Sequence, residues 1–433
     1  MERKIMEDLC SWKNKKSRKP LILQGARQVG KTWIMKEFGK RYYKNVAYIN
    51  LDENEQMKKS FDVDFDVKRI IEDITIVSGE KIEPEETLII IDEVQESPKA
   101  ITALKYFCEN ASEYHIIVAG SFLGVAMHKG ISYPVGKVNI LTMYPLSYYE
   151  FLLACGEDDL AKYVNKAENN KNQVFREKYI RYLKLYYYVG GMPEAVSCYV
   201  DDKDINEVRN IQKKIVSLYE KDFSKHIDNK SELERTRMVW DSIPLQLAKE
   251  NKKFFFGQIK KGARSAQYEV SIQWLIDCGL CYKVHMVNKP AMPLKSYKEP
   301  QAYKLFMIDV GLLGAMSDLD INSILGDDEL FVEFKGALTE QYVLQQIIST
   351  TEMVPYYYSN TNSRNEIDFL MQIKSDIVPI EVKAEENLKS KSLKAYIDKY
   401  DPKYAIRFSM KDYIKQELII NIPLWNISAI GEI

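Results

Sequence analysis

The stretch Leu21-Ile-Leu-Gln-Gly-Ala-Arg-Gln-Val-Gly-Lys-Thr32 fits in full the spacing GxxxxGK followed by Ser or Thr. Gly25 and Gly30 lack the Cβ that would block a tight turn, so successive backbone N–H groups can point inward and cradle phosphate oxygens. This makes Gly25, Ala26, Arg27, Gln28, Val29, Gly30, Lys31 and Thr32 the expected phosphate-binding residues. Lys31 is expected to reach the β and γ phosphates of a nucleotide and to serve catalysis, and Thr32 to ligate Mg²⁺. The flanks agree: a short apolar run, Leu21 to Leu23, precedes the loop, and a helix-compatible segment from Trp33 to Phe38 follows it. Strand, loop and helix N-terminus is the context that the spacing requires.

Working outward, Val46 to Leu51 is an apolar run of strand length, and Thr87-Leu-Ile-Ile-Ile-Asp-Glu-Val94 is another that ends in two carboxylates. A strand buried on both faces reads as a continuous apolar run, and ligands of open α/β sheets bind beyond the carboxyl ends of the strands. Asp92 is therefore expected to hold Mg²⁺ and Glu93 to polarise an attacking water. A further strand, His115 to Ser121, ends in a hydroxyl. Ser121 either senses the γ phosphate or is a plain strand-end serine, depending on strand order. Alternating strands and helices predict a parallel, three-layer α/β domain over residues 1–150.

At roughly 150 residues per domain, 433 residues imply two to four domains. Apolar residues at 46% are ample for burial, and 61 basic against 62 acidic side chains exclude a global positive field. Any nucleic-acid contact must then come from a local patch. Six scattered cysteines do not make a disulfide framework, and Cys278 and Cys281 lack the second ligand pair of a zinc site. No run approaches the roughly twenty apolar residues that cross a bilayer. The chain reads as soluble and cytoplasmic, without a membrane partner.

The first dozen residues read as an amphipathic helix followed by a basic run, Lys13 to Lys19, whose plain reading is a solvated connection. Residues 151–230 read as a helical lid or linker, in which Tyr182, Tyr186, Tyr187 and Tyr188 are expected to pack internally. Over 231–325 the order helix, short turn, helix and apolar stretch predicts a winged helix. Lys249, Lys252, Lys253, Lys260, Lys261 and Arg264 make its first part basic, which suits phosphate contacts with DNA. Protein packing or autoinhibition is the other use of such a motif.

Residues 326–433 carry a second chemical signal. Glu340 falls in a helical stretch, Asp368 in Glu366-Ile-Asp-Phe-Leu370, and Glu381 with Lys383 in Ile377-Val-Pro-Ile-Glu-Val-Lys383. Residues two apart on a strand share a face. An antiparallel hairpin turning at Lys374-Ser375 would place Asp368 opposite Glu381. Like charges side by side call for a cation between them, so Glu340, Asp368 and Glu381 are candidate Mg²⁺ ligands. Asp368, Glu381 and Lys383 are the candidate catalytic groups, with Lys383 orienting or deprotonating the attacking water, or stabilising charge on phosphorus. A solvated hairpin face or a decayed site stays open beside this reading.

Together, Gly25-Ala-Arg-Gln-Val-Gly-Lys-Thr32, Ile91-Asp-Glu-Val-Gln95, Ala119-Gly-Ser121, Tyr144-Pro-Leu-Ser-Tyr-Tyr-Glu-Phe151, Gly190-Gly-Met-Pro193 and Glu381-Val-Lys-Ala384 resemble a known family. It is that of prokaryotic AAA-type P-loop ATPases whose C-terminal region is a domain of unknown function similar to PD-(D/E)xK nucleases. The resemblance implies ATP binding and hydrolysis by the first domain, a central winged helix and a restriction-endonuclease-like α/β domain at the end. Members commonly have Gly-Arg ahead of the Pro-Leu-Ser segment where this chain has Gly136-Lys137, and Lys lacks the planar fork of an arginine finger. The expectation is a Mg²⁺-dependent ATPase coupled to a nuclease-like domain that cleaves DNA, with ATP, DNA and further copies of the chain as candidate partners. The rival expectation is a nucleotide-switched DNA-binding regulator with an inert C-terminal domain.

Overall fold

The computed structural model describes residues 1–121, 134–166, 173–249, 252–326, 332–360, 365–386 and 390–432. The chain forms two compact units, one of residues 2–144 with 277–279, the other of 145–276 and 280–433 with Met1.

The first unit is built on a five-stranded sheet. Its strands are β1 (Leu21–Gln24), β2 (Asn45–Asn50), β3 (Thr87–Asp92), β4 (His115–Gly120) and β5 (Asn139–Thr142), in the order β2-β3-β4-β1-β5. Every pairing is parallel. Parallel sheets are stable when both faces are covered, and the side chains of β3 show that they are. Ile89 and Ile91 enter a core with Met57, Phe61, Ile70, Ile74, Leu104 and Phe107 from the helices Glu55–Val63, Val67–Ser78 and Pro98–Asn110. Leu88, one residue out of phase, points to the other face, where it meets the helix Lys31–Tyr42 beside Gly39. The N-terminal helix Ile5–Asn14 buries Ile5, Leu9 and Trp12, and Trp12 sits edge-on to His115 at 6.1 Å. Helices on both faces of a parallel sheet are the predicted three-layer arrangement.

Among the described residues the second unit begins with the helices Tyr148–Ala154, Asp158–Val164, Arg176–Val189, Pro193–Asp202, Ile205–His226 and Lys230–Leu247. Tyr182, Tyr186, Tyr187 and Tyr188 are buried, so they are packing residues. Two of the stretches that carry the family resemblance lock together here. Leu146 donates its N–H to Gly191 O at 2.7 Å, and Gly191 donates its own to the buried Asp309 Oδ2 at 2.7 Å.

A short helix Phe256–Ile259, the helix Ser265–Asp277 and an antiparallel hairpin, β6 (Cys281–Val287) and β7 (Lys298–Met307), come next. After the helix Val332–Thr350 follow β8 (Tyr356–Ser359), β9 (Glu366–Ile373), β10 (Asp376–Val382), the helix Lys391–Tyr400, β11 (Ala405–Ser409), β12 (Ile414–Gln416) and β13 (Ile419–Pro423). All eight strands join one mixed sheet, in the order β12-β13-β11-β10-β9-β8-β6-β7. The hairpin β6–β7 is continuous with the C-terminal strands through parallel pairing of Met286 with Tyr357 and Val287 with Tyr358. Both long C-terminal helices pack on β10. None of the six cysteines is in a disulfide, and Cys278 and Cys281 are buried. Among the described residues no helix is long and apolar enough to cross a membrane.

Candidate functional site

Strand order decides what surrounds the loop after β1. Because β1 lies between β4 and β5, and β4 beside β3, the carboxyl ends of β1, β3 and β4 face one crevice. The loop leaves β1 through Gly25 at φ +147° and enters its helix through Gly30 at φ +97°. A Cβ at Gly25 would lie 2.3 Å from Met143 O, so the loop can approach the chain after β5 only with glycine there. Ala26 and Val29 are buried, and Arg27 is exposed.

Lys31 is the hub. Its Nζ donates to Gly25 O at 2.8 Å, Ala26 O at 2.7 Å and Ser121 Oγ at 3.1 Å. Burial pushes its ammonium down to about 8, against the raising charges of Glu93 and Asp92. The contact with Ser121 places this hydroxyl at the carboxyl end of β4, beside the loop. Thr32 Oγ1 donates to Asp92 Oδ2 at 2.6 Å, and Tyr48 OH donates to the same oxygen at 3.2 Å. Glu93 follows at φ +51°, and its Oε2 accepts from Gln95 Nε2 at 2.5 Å. Gln28 Oε1 is buried with no protein partner among the described residues. An acceptor left open, a threonine hydroxyl set against a carboxylate and a buried ammonium in a backbone cradle fit a Mg²⁺–nucleotide.

Several contributors escaped the sequence reading. Arg3 donates to Val29 O at 3.1 Å and Tyr144 O at 2.6 Å, fastening the loop from 26 residues away. Tyr48 and Gln95 hold the two carboxylates, and no short motif marks any of the three. Lys137, by contrast, lies ahead of the amino end of β5, whose Asn139 pairs with Leu21 at the start of β1. It is thus separated from the loop by four residues of strand, on the order of 13 Å. Its Nζ pairs with Glu109 Oε1 at 2.9 Å.

In the second unit the hairpin β9–β10 turns at Lys374-Ser375, with Ile380 paired to Phe369 and Asp376 to Ile373. The same register carried one step further sets Glu381 opposite Asp368, and Val382 N–H donates to Asp368 Oδ2 at 2.7 Å. Lys383 Nζ meets Glu381 Oε1 at 2.7 Å. Glu340 joins them, but its partners are two lysines: Lys252 on Oε1 and Lys304 on Oε2, the latter at 3.4 Å. Burial would raise the Glu340 carboxyl, yet the Lys252 and Lys304 charges outweigh it and bring it down to about 2. Asp368 is held well above the usual carboxylate range by desolvation and by the charges of Glu340 and Glu381. Among the described residues no group of three or more His, Cys, Asp or Glu side chains is arranged to hold a metal ion. The expected Mg²⁺ ligands Glu340, Asp368 and Glu381 are brought together, with ammonium groups against Glu340 and Glu381 and a backbone N–H on Asp368.

The first unit is thereby a nucleotide-binding α/β domain of the P-loop type. Its residues 17–152 match the AAA domain family, which together with the site geometry supports an AAA-type ATPase. Residues 180–323 match a domain of unknown function (DUF8612), and residues 335–427 match another (DUF4143). Comparison with curated proteins gave no match. Among solved structures, the Orc1 protein of Aeropyrum pernix in complex with DNA is similar at 13% identity and a TM-score of 0.29, over 73% of this chain and 91% of that one. Drosophila ORC bound to DNA shows 14% identity and a TM-score of 0.28, over 74% and 94%. AMPPCP-bound DnaA from Aquifex aeolicus shows 14% and 0.25, over 63% and 85%.

Proposed function

We propose that the chain binds ATP with Mg²⁺ at Gly25–Thr32 and hydrolyses it, and that nucleotide state governs the second unit. The observation that carries this is the 2.6 Å contact between Thr32 Oγ1 and Asp92 Oδ2, two groups 60 residues apart. Nothing in the packing of a strand end requires a hydroxyl there, whereas a Mg²⁺ site requires both oxygens. Bound Mg²⁺ would neutralise developing phosphate charge. The backbone N–H groups from Gly25 to Thr32 cradle the phosphates, and Lys31 turns its ammonium from Gly25 O and Ala26 O to them. Ser121 holds Lys31 from the neighbouring strand and is placed to feel the terminal phosphate. Glu93 orients the attacking water, with Gln95 fixing its carboxylate. Substituting Lys31→Ala should abolish turnover and weaken binding of a fluorescent ATP analogue by at least about tenfold, since a charge-assisted contact to phosphate is worth more than 1.4 kcal/mol. Unchanged turnover in that variant would refute the reading.

A second element of the proposal is a DNA contact by the segment 231–325, read as a winged helix. Lys260, Lys261 and Arg264 are exposed just ahead of the helix Ser265–Asp277. The exposed face of that helix offers Ala266, Gln267, Glu269, Val270 and Gln273, with no base among them. Cations at a helix N-terminus and none along its face suit phosphate positioning, without reading of sequence. Replacing all three cations by Ala should weaken binding to any duplex and flatten its salt dependence by roughly two to three units of slope. Equal affinity of variant and wild type would remove DNA from the proposal. Lys137 lies too far from its own loop to act there.

A further inference from the structure

The carboxylate cluster of the eight-stranded sheet is filled in a way that the nuclease resemblance does not anticipate. Lys304, fully buried on β7, meets Glu340 Oε2 at 3.4 Å and Glu366 Oε1 at 2.5 Å, and lies 5.0 Å from the centre of the Tyr357 ring. Lys252 takes the other Glu340 oxygen, and Lys383 takes Glu381 Oε1. Three ammonium groups thus face the carboxylates of Glu340, Glu366 and Glu381, with Asp368 as a fourth acid. The cluster of these seven groups is neutral or carries a single negative charge, whichever state Asp368 adopts, before the positive charge of the buried Arg407, register partner of Glu381 on β11, is added. A divalent cation would leave it with a charge of +2 or +1, and unpaired charge among buried groups is strongly unfavourable.

Coordination points the same way. Mg²⁺ demands about six oxygens at roughly 2.0–2.1 Å. Both oxygens of Glu340 and one each of Glu366, Glu381 and Asp368 already accept from protein donors. Of the eight oxygens of these four carboxylates, those contacts leave Glu366 Oε2, Asp368 Oδ1 and Glu381 Oε2, half of the roughly six that Mg²⁺ takes, and of these Glu381 Oε2 is buried without a partner among the described residues. The two lysines come from the stretch matching one domain of unknown function, at 180–323, and the carboxylates from the stretch matching the other, at 335–427.

The geometry points to a carboxylate site whose cation is built in: Lys304, with Lys252 beside it, stands where a divalent metal would stand. The C-terminal sheet then takes no Mg²⁺ or Mn²⁺ at Glu340, Asp368 and Glu381, and cuts no nucleic acid. Its work is mechanical, since Lys252 ties the segment that follows the helix Lys230–Leu247 to the helix Val332–Thr350.

Two measurements on the full chain test this, and neither depends on ATPase activity. In an acidic cluster awaiting a metal, neutralising one carboxylate relieves repulsion and raises the unfolding temperature. In a lysine-filled cluster the same change strands two ammonium groups and lowers it. Glu340→Gln should therefore lower Tm by several degrees, and a rise would overturn the inference. In the second, free Mn²⁺ is followed by its spin-resonance signal without nucleotide, and wild type and Asp368→Asn should take up the same amount. A site present in wild type and lost in Asp368→Asn would overturn the inference equally. Should Glu340→Gln fail to fold, the Mn²⁺ comparison decides alone.

Discussion

Lys31 is subject to two opposing demands on its charge. Its task at a phosphate needs the ammonium, and its burial at the loop works against it, bringing its proton affinity down to about 8. In the folded, nucleotide-free protein the charged form is therefore held at a cost below pH 8, and that cost is relieved as pH rises from about 8 towards the ordinary 10.5. Phosphate reverses the preference, because an anion beside Nζ favours the ammonium. Nucleotide binding above pH 8 should then draw in a proton, and affinity should fall as pH rises from 7.5 to 9.5, by up to about tenfold per unit beyond 8. Isothermal titration in two buffers of different ionisation enthalpy reads the proton directly. Equal heats in both at pH 9 would mean that Lys31 stays charged throughout. At this scale the sequence was informative where the residues are neighbours: the spacing of Gly25, Gly30, Lys31 and Thr32 is a local fact. Arg3 is not legible in the same way, since its partners Val29 and Tyr144 are 26 and 141 residues distant.

Elements were legible where a period or a turn constrains them. The register that sets Asp368 opposite Glu381 follows from the turn at Lys374-Ser375, because pairing across a two-residue turn has a constant sum. Thr87 to Asp92 could be read as a strand covered on both faces because its apolar run is unbroken. The link between β6–β7 and the C-terminal strands could not, since a parallel pairing of Met286 with Tyr357 leaves no local trace in either segment. One local signal was present and went unread. In Tyr144-Pro-Leu-Ser-Tyr-Tyr-Glu-Phe151, Ser147 and Glu150 have capping-box spacing, and each side chain accepts from the other's backbone, at 3.3 Å and 2.8 Å. The helix Tyr148–Ala154 has seven residues, too few to hold itself together, so its cap and its packing must support it. Ser147→Ala should cost about 1 kcal/mol, and Ser147→Asp much less. Urea unfolding of the two variants checks this, and equal losses would show that the cap is dispensable.

For the whole molecule, acid should act on the second unit through its ion-pair cluster. Glu340 is held down to about 2 against an ordinary 4.5, so its pairing with Lys252 and Lys304 contributes fully above pH 4.5 and is lost as pH falls towards 2. Asp368 acts with the opposite sign. Its carboxyl is raised, so the folded state binds that proton more tightly, and acidification from neutrality towards its ordinary 3.8 stabilises the fold. Added together, the two effects predict stability that is level or rising from pH 7 to about 5 and falls steeply only below 4.5. In Glu340→Gln the steep limb should become shallow, because the group that loses its pairing is gone, while the rise due to Asp368 should shrink, because one of the two charges that raise it is removed. Trp240, Trp274 and Trp425, three of the five tryptophans, lie in this unit, so unfolding midpoints followed by their fluorescence across pH 2.5–7 report on it. Parallel acid limbs in wild type and variant would mean that the Lys252–Glu340–Lys304 bridge carries none of the stability assigned to it, and that other carboxylates set the acid limit.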